Sequence, residues 1–185
     1  MPNQPDIRCL SSRPVYENPW MAVTEDLIER RDGSTGVYGV LHSPDFVVVI
    51  PFDGLRYHLV EQYRYPVKGR FWEFPQGSVA EPGLPPEQIA RVELAEESGL
   101  VPSALQHLGF LHNDYGRSVN GFHAFLATGL TEGPPAREHE EQDMRSGAFA
   151  EEEIWELVAE GRLTDAASLA AWALLGRARQ LAMGR

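Results

Sequence analysis

The sequence predicts a mixed α+β fold in which a β-sheet is sandwiched between helices, on three observations. Two runs rich in β-branched and aromatic residues, Phe46 to Phe52 and Leu55 to Tyr65, flank Asp53-Gly54, the strongest short-range hairpin signal. Pro85-Pro86 followed by Glu87 opens a helix that Gly99 can close. Proline's missing N–H is no loss in a first turn, an acidic residue there suits the helix dipole, and glycine takes the left-handed conformation at a helix end. Two C-terminal stretches place Ile154, Leu157 and Val158, then Leu169, Trp172, Leu175 and Leu181, at helical spacing. Strands and helices do not alternate regularly, so the layers are not those of a doubly wound parallel sheet.

Composition narrows the function. A chain of 185 residues with 43% hydrophobic and 23% charged residues has the makings of an ordinary buried core, which excludes a disordered or fibrous protein. Its net charge of −11 repels phosphate backbones and anionic lipid, so neither a nucleic acid nor a membrane is an expected partner. Any phosphorylated substrate must therefore meet local Arg or Lys, a divalent cation, or both. Cys9 is the only cysteine, which rules out an intrachain disulfide and a multi-cysteine zinc site. The apolar run from Phe46 to Phe52 is far below the ~20 residues of a membrane helix, and MPNQPDIR lacks a signal peptide's apolar stretch. A cytoplasmic location is the expectation.

Taken in order, residues 18–30 and 36–41 read as strands around Asp32-Gly33-Ser34, an N-terminal β-hairpin that sets residues 1–42 apart from a main domain of 43–185. The hairpin across Asp53-Gly54 follows. Residues 66–77 then form a loop leading into a short strand at Phe71 to Phe74, and the helix runs from Pro86 to Ser98. Leu105 to His112 and Phe122 to Thr128 are strands joined by the polar NDYGRSVNG loop, and helices span Glu151 to Glu160 and Asp165 to Met183. His107, His112 and His123 fall in or near strands and read as packing residues, since no H-x-x-x-H spacing or cysteine accompanies them.

The middle helix carries Glu93, Glu96 and Glu97, whose i, i+3, i+4 spacing gathers three carboxylates on one stripe. Each like-charged pair costs roughly 0.2–0.5 kcal/mol on a solvated helix, and a bound divalent cation reverses that sign. Oxygen ligands select a hard ion such as magnesium or manganese over zinc. From spacing alone the stripe reads first as an ordinary solvated acidic face.

Glu93-Leu94-Ala95-Glu96-Glu97-Ser98-Gly99-Leu100 resembles the second half of the Nudix box, G-x5-E-x7-R-E-U-x-E-E-x-G-U with U aliphatic. FWEFPQG resembles the stretch that leads into the box in ADP-ribose pyrophosphatases, VEQYRYP is similar to a strand motif of the same enzymes, and DAASLAAWALL to their closing helix. Counted back from Gly99, the box's first glutamate falls on Leu84, its arginine on Val92 and its glycine on Ser78, one past Gly77. Arg91 stands one residue early and either supplies the missing charge from a shifted position or faces solvent.

The resemblance implies a Nudix fold and the family's reaction, hydrolysis of the pyrophosphate bond of ADP-ribose or a nucleoside diphosphate sugar to a nucleoside monophosphate and a sugar phosphate, with Mg²⁺ or Mn²⁺ as cofactor. The altered box leaves an alternative, a Nudix domain that binds a nucleotide metabolite without cleaving it. By the same resemblance Glu93 and Glu97 are metal ligands with the carbonyl of Gln76, and Glu96 assists as ligand or proton acceptor. Glu141 of the REHEEQDM segment is the expected base, with Glu140 and Glu138 as competitors. Arg64 matches an arginine that contacts the diphosphate or ribose; otherwise it pairs with Glu61 or Glu73. Glu73, Trp20 and Tyr38 complete the expected substrate contacts, the two aromatics matching residues that sandwich the base from different subunits in similar enzymes. That arrangement implies a homodimer built on the N-terminal strands.

Overall fold

A computed structural model describes residues 6–78, 83–136 and 143–184. The chain divides into two units, one made of the residues up to Asp45 with His112–Gly121, the other of Phe46–Leu111 with Phe122 onward.

The first unit is an antiparallel sheet, β1 (Ile7–Glu17), β2 (Ala22–Arg30) and β3 (Thr35–His42), paired in that order. The β2–β3 hairpin turns where the sequence places it, with Ser34 N–H donating to Asp32 Oδ1 at 2.9 Å and Gly33 at φ 82°. β1 was not read from the sequence because none of its eleven residues is buried. It is held by its ladder to β2, flanked by exposed pairs such as Arg8–Glu29 at 2.7 Å that add little stability. The 112–121 segment ties back to β3 through Leu41 N–H to Arg117 O at 2.8 Å and Val119 N–H to Leu41 O at 3.1 Å.

In the second unit, β4 (Phe46–Pro51) lies between β7 (Gln76–Gly77) and β9 (Gly121–Glu132), and β8 (Leu100–His112) forms the other edge beside β9. β4 runs parallel to β9 and antiparallel to β7, giving a mixed sheet. A second, antiparallel sheet orders β10 (Arg145–Phe149), β5 (Tyr57–Arg64) and β6 (Gly69–Glu73). Side-chain alternation along β4 feeds two cores. Val47 and Val49 join Ala90 and Leu94 of helix α1 (Pro86–Ser98), while Val48 and Ile50 join Trp172 and Leu175 of α3 (Ala166–Met183) and Ile154 and Leu157 of α2 (Glu151–Ala159). This is the helix-sheet-helix layering the sequence predicts. Trp172 organises the larger core, meeting Tyr57 edge-on at 4.6 Å and stacking on Phe74 at 5.7 Å. Among the described residues no helix is long and apolar enough to cross a membrane.

α1 keeps its sequence-predicted limits, and its end shows why. Gly99 sits at φ 75°, and a Cβ there would meet Gly133 O at 2.2 Å. Gly99→Ala is expected to destabilise the protein by at least about 1–3 kcal/mol, the cost of forcing a side chain into the left-handed region, read as a lowered urea midpoint. β8 begins at Leu100, five residues earlier than the sequence reading, because the chain passes from the helix cap directly into the sheet. The hairpin predicted across Asp53-Gly54 is only a turn: β4 and β5 meet at the single Phe52–Tyr57 bridge and then pair in different sheets. Asp53 closes the turn, its Oδ1 accepting from Leu55 N–H and Arg56 N–H, both at 2.8 Å. The Arg56 and Leu55 amides hold its carboxyl below the usual range. A carboxylate depressed on folding adds stability that is present above its unfolded pKa of about 3.9 and lost as pH falls through the folded value. Asp53→Ala is therefore expected to cost about 1 kcal/mol at neutral pH, a gap to the parent that narrows in acid denaturant titrations.

Candidate active site

Helix α1 must bury the stripe that carries Ala90 and Leu94, and the same stripe brings Glu93 and Glu97 inward, to 8% and 1% exposure. β7 receives them. Gly77 leaves room for Glu93, since a Cβ at that position would meet Glu93 Oε2 at 2.4 Å and Oε1 at 2.8 Å. Gln76 N–H donates to Glu97 Oε2 at 3.2 Å. Glu96 is half-buried, and its carbonyl accepts Ala136 N–H at 3.0 Å. Arg91 serves neither of its two sequence readings in full: its guanidinium donates to Pro102 O at 2.9 Å and to Glu87 at 3.1 Å, tying α1 to β8 and to its own first turn. Val92, in the box's arginine slot, is 37% exposed, and Leu84 is half-buried ahead of the helix.

Beside Glu97 lies an ionic cluster from β5 and β6. Arg64 pairs with Glu73 through two nitrogens, Nε at 3.1 Å from Oε2 and Nη2 on Oε1, and Gln62 Nε2 adds a donor at 2.6 Å. Glu61, the other candidate partner, is taken by Arg70 at 3.1 Å and Arg145 at 3.6 Å. Burial pushes the Glu73 carboxyl above its usual range against the pull of Arg64. Burial opposes the charge of Arg64, yet Glu73, Glu97 and Asp165 together hold its proton more firmly than usual. The Arg64 side chain remains 40% exposed, whereas Glu73 is 2% exposed, so the arginine offers an open edge and the glutamate does not.

Asp165 and Gln62 are the residues that sequence reasoning missed. Asp165 caps α3, its Oδ2 accepting Ser168 N–H at 2.7 Å, and Gln76 Nε2 donates to the same oxygen at 3.3 Å. An Asp ahead of an apolar helix is a legible cap signal. Its reach to Gln76, 89 residues away, is a product of the fold. The expected base residues Glu138, Glu140 and Glu141 lie outside the described residues. Trp20, in the first unit, is 75% exposed after an Asn18 turn, and Tyr38 donates its hydroxyl to Gly116 O at 2.7 Å. His107 and His123 meet at 3.1 Å, ring nitrogen to ring nitrogen, against Phe125.

The donor chemistry fits a hard divalent cation. Two largely buried carboxylates at i, i+4 repel one another unless positive charge stands near, and oxygen is the only ligand type they offer. Among the described residues no three His, Cys, Asp or Glu side chains converge on one ion. Magnesium sites commonly use only one or two carboxylates, the rest of the shell coming from water and substrate phosphates.

Fold and site together define a Nudix domain. Residues 42–172 match the family described as the NUDIX domain, and residues 7–41 match the nucleoside diphosphate sugar hydrolase N-terminal domain. The chain belongs to the Nudix hydrolase family, whose enzymes work with divalent metal ions. It is 32% identical over 167 residues to an ADP-ribose pyrophosphatase of Mycobacterium tuberculosis (strain ATCC 25618 / H37Rv), covering 89% of this chain and 81% of that protein. Its fold matches a crystal structure of an ADP compounds hydrolase with a TM-score of 0.85, 18% identity, and coverage of 100% of this chain and 98% of the other.

Proposed function

We propose that the protein hydrolyses the phosphoanhydride bond of ADP-ribose or a nucleoside diphosphate sugar in the presence of Mg²⁺, releasing nucleoside monophosphate and sugar phosphate. The observation that carries this reading is the burial of Glu93 and Glu97 side by side against Gln76 and Gly77, where solvation no longer explains two carboxylates. Glu93 and Glu97 would hold the metal with the Gln76 carbonyl, and Glu96, next to Glu97, would serve as an auxiliary ligand or proton acceptor. Mn²⁺ serves the same oxygen donors. A cation held there would lower the pKa of water and neutralise charge on the diphosphate. Glu141, with Glu140 next to it, takes the proton from the attacking water. Arg64, steadied from behind by Glu73, meets the diphosphate or ribose with its open edge. Trp20 and Tyr38 offer stacking faces for the base.

The same reading makes the protein a homodimer. One face of β1–β3 exposes Tyr16, opposite Val23, and Leu27, opposite Val37, apolar side chains that a second copy would cover. A lone exposed Cys9 suits a reducing cytoplasm. Light scattering tests the dimer. The activity is tested by incubating the protein with ADP-ribose, ADP-glucose, GDP-mannose and UDP-glucose in Mg²⁺; cleavage of none of them overturns the proposal.

The departures at Leu84 and Val92, with Arg91 engaged elsewhere, favour one second reading, a domain that binds such a nucleotide without cleaving it. Calorimetric binding without turnover is its expected signature.

A further inference from the structure

The first turn of α3 is stitched to the strand segment ahead of α1 at two points. Ser168 Oγ, fully buried, accepts Phe74 N–H at 3.0 Å, and Asp165 Oδ2 accepts Gln76 Nε2 at 3.3 Å. Between them Pro75 O accepts Val49 N–H at 2.8 Å, locking the segment to β4. Gln76 N–H then reaches Glu97 Oε2 at 3.2 Å. A continuous chain of bonds thus runs from the start of α3 to a carboxylate on α1.

We infer that Asp165 is a positioning residue: through the side chain of Gln76 it fixes the backbone that orients Glu97 for metal. The inference rests on the metal-binding reading of Glu93 and Glu97. Capping alone does not require an aspartate, because serine, asparagine and threonine cap comparably. Reaching Gln76 as well requires the longer branched carboxylate or its amide. Asp165 also adds its charge to those of Glu73 and Glu97 around Arg64, which places it inside the same electrostatic cluster. The second amide atom of Gln76, Oε1, is buried without a hydrogen-bond partner among the described residues. The tether does not use that atom: an asparagine at 165 keeps both bonds when its Oδ1 takes the place of Oδ2 and accepts from Ser168 N–H and from Gln76 Nε2.

The test is Mn²⁺ binding to the full chain without substrate, followed by electron paramagnetic resonance, beside urea unfolding. Asp165→Ser keeps a cap and is expected to unfold at the parent's midpoint while binding Mn²⁺ about 10-fold more weakly, the scale of losing a group that orients a ligand. Gln76→Ala cuts the same tether with the cap untouched and is expected to show the same loss, the double variant losing no more than either. Asp165→Asn restores the parent's affinity. The inference is overturned if Asp165→Ser binds Mn²⁺ like the parent, if the two losses add, or if Asp165→Asn is as weak as Asp165→Ser. A parent that binds no Mn²⁺ overturns the metal-binding reading itself, and the inference with it; a parent that binds, beside an unaffected Asp165→Ser, overturns the inference alone.

Discussion

Replacing Glu97 by glutamine is expected to lower kcat by at least on the order of 10²-fold, the scale seen when one group that stabilises transition-state charge is removed. The fold should tolerate the change. Glu97 is 1% exposed, glutamine has its shape, and the amide oxygen can still accept the Gln76 N–H. Burying a neutral amide costs less than burying a carboxylate, so the urea midpoint should hold or rise. Lost turnover with an unchanged or higher midpoint separates loss of chemistry from loss of structure. A variant as active as the parent would remove Glu97 from the site.

Gly77→Ala is expected to have an effect of similar size from outside the helix. The new Cβ would lie 2.4 Å from Glu93 Oε2, 2.6 Å from Cδ and 2.8 Å from Oε1. All three atoms are the end of a flexible side chain, so the conflict is relieved by swinging Glu93 away rather than by moving backbone. Gly77 is not among the glycines with positive φ, so alanine fits its conformation and stability should stay within about 1 kcal/mol of the parent. Turnover and Mn²⁺ affinity should both fall. Full activity in Gly77→Ala would show that the Glu93 carboxylate need not sit against β7.

These two residues also show what the sequence could and could not tell. α1 was legible because its start, end and acidic stripe all have local causes: prolines at the first turn, Gly99 at the cap, and i, i+4 spacing. The turn at Asp53-Gly54 was legible because those residues serve a turn by their own chemistry, but the hairpin read there was not formed: β4 and β5 pair in different sheets, a choice made by partners distant in sequence. β1 was not, since its all-exposed side chains leave no hydrophobic pattern to read and only its pairing with β2 makes it a strand. Arg64 had two possible partners until the register of β5 on β6 set Val60 opposite Glu73 and Glu61 opposite Trp72. Arg91 was undecided because its partner, Pro102 O, belongs to a strand whose start could not be fixed from pattern. Long-range pairing, rather than local propensity, separates the legible residues from the illegible ones.

The central strand has a final consequence. Val47, Val48, Val49 and Ile50 are each at most 1% exposed, and successive ones belong to opposite sides of the sheet. Stripping away either helical layer would hand water an uninterrupted apolar wall, so neither layer can melt while the other persists. Amide protons of β4 should consequently trade with solvent only through whole-unit opening, whereas the surface-running β1 is free to breathe long before.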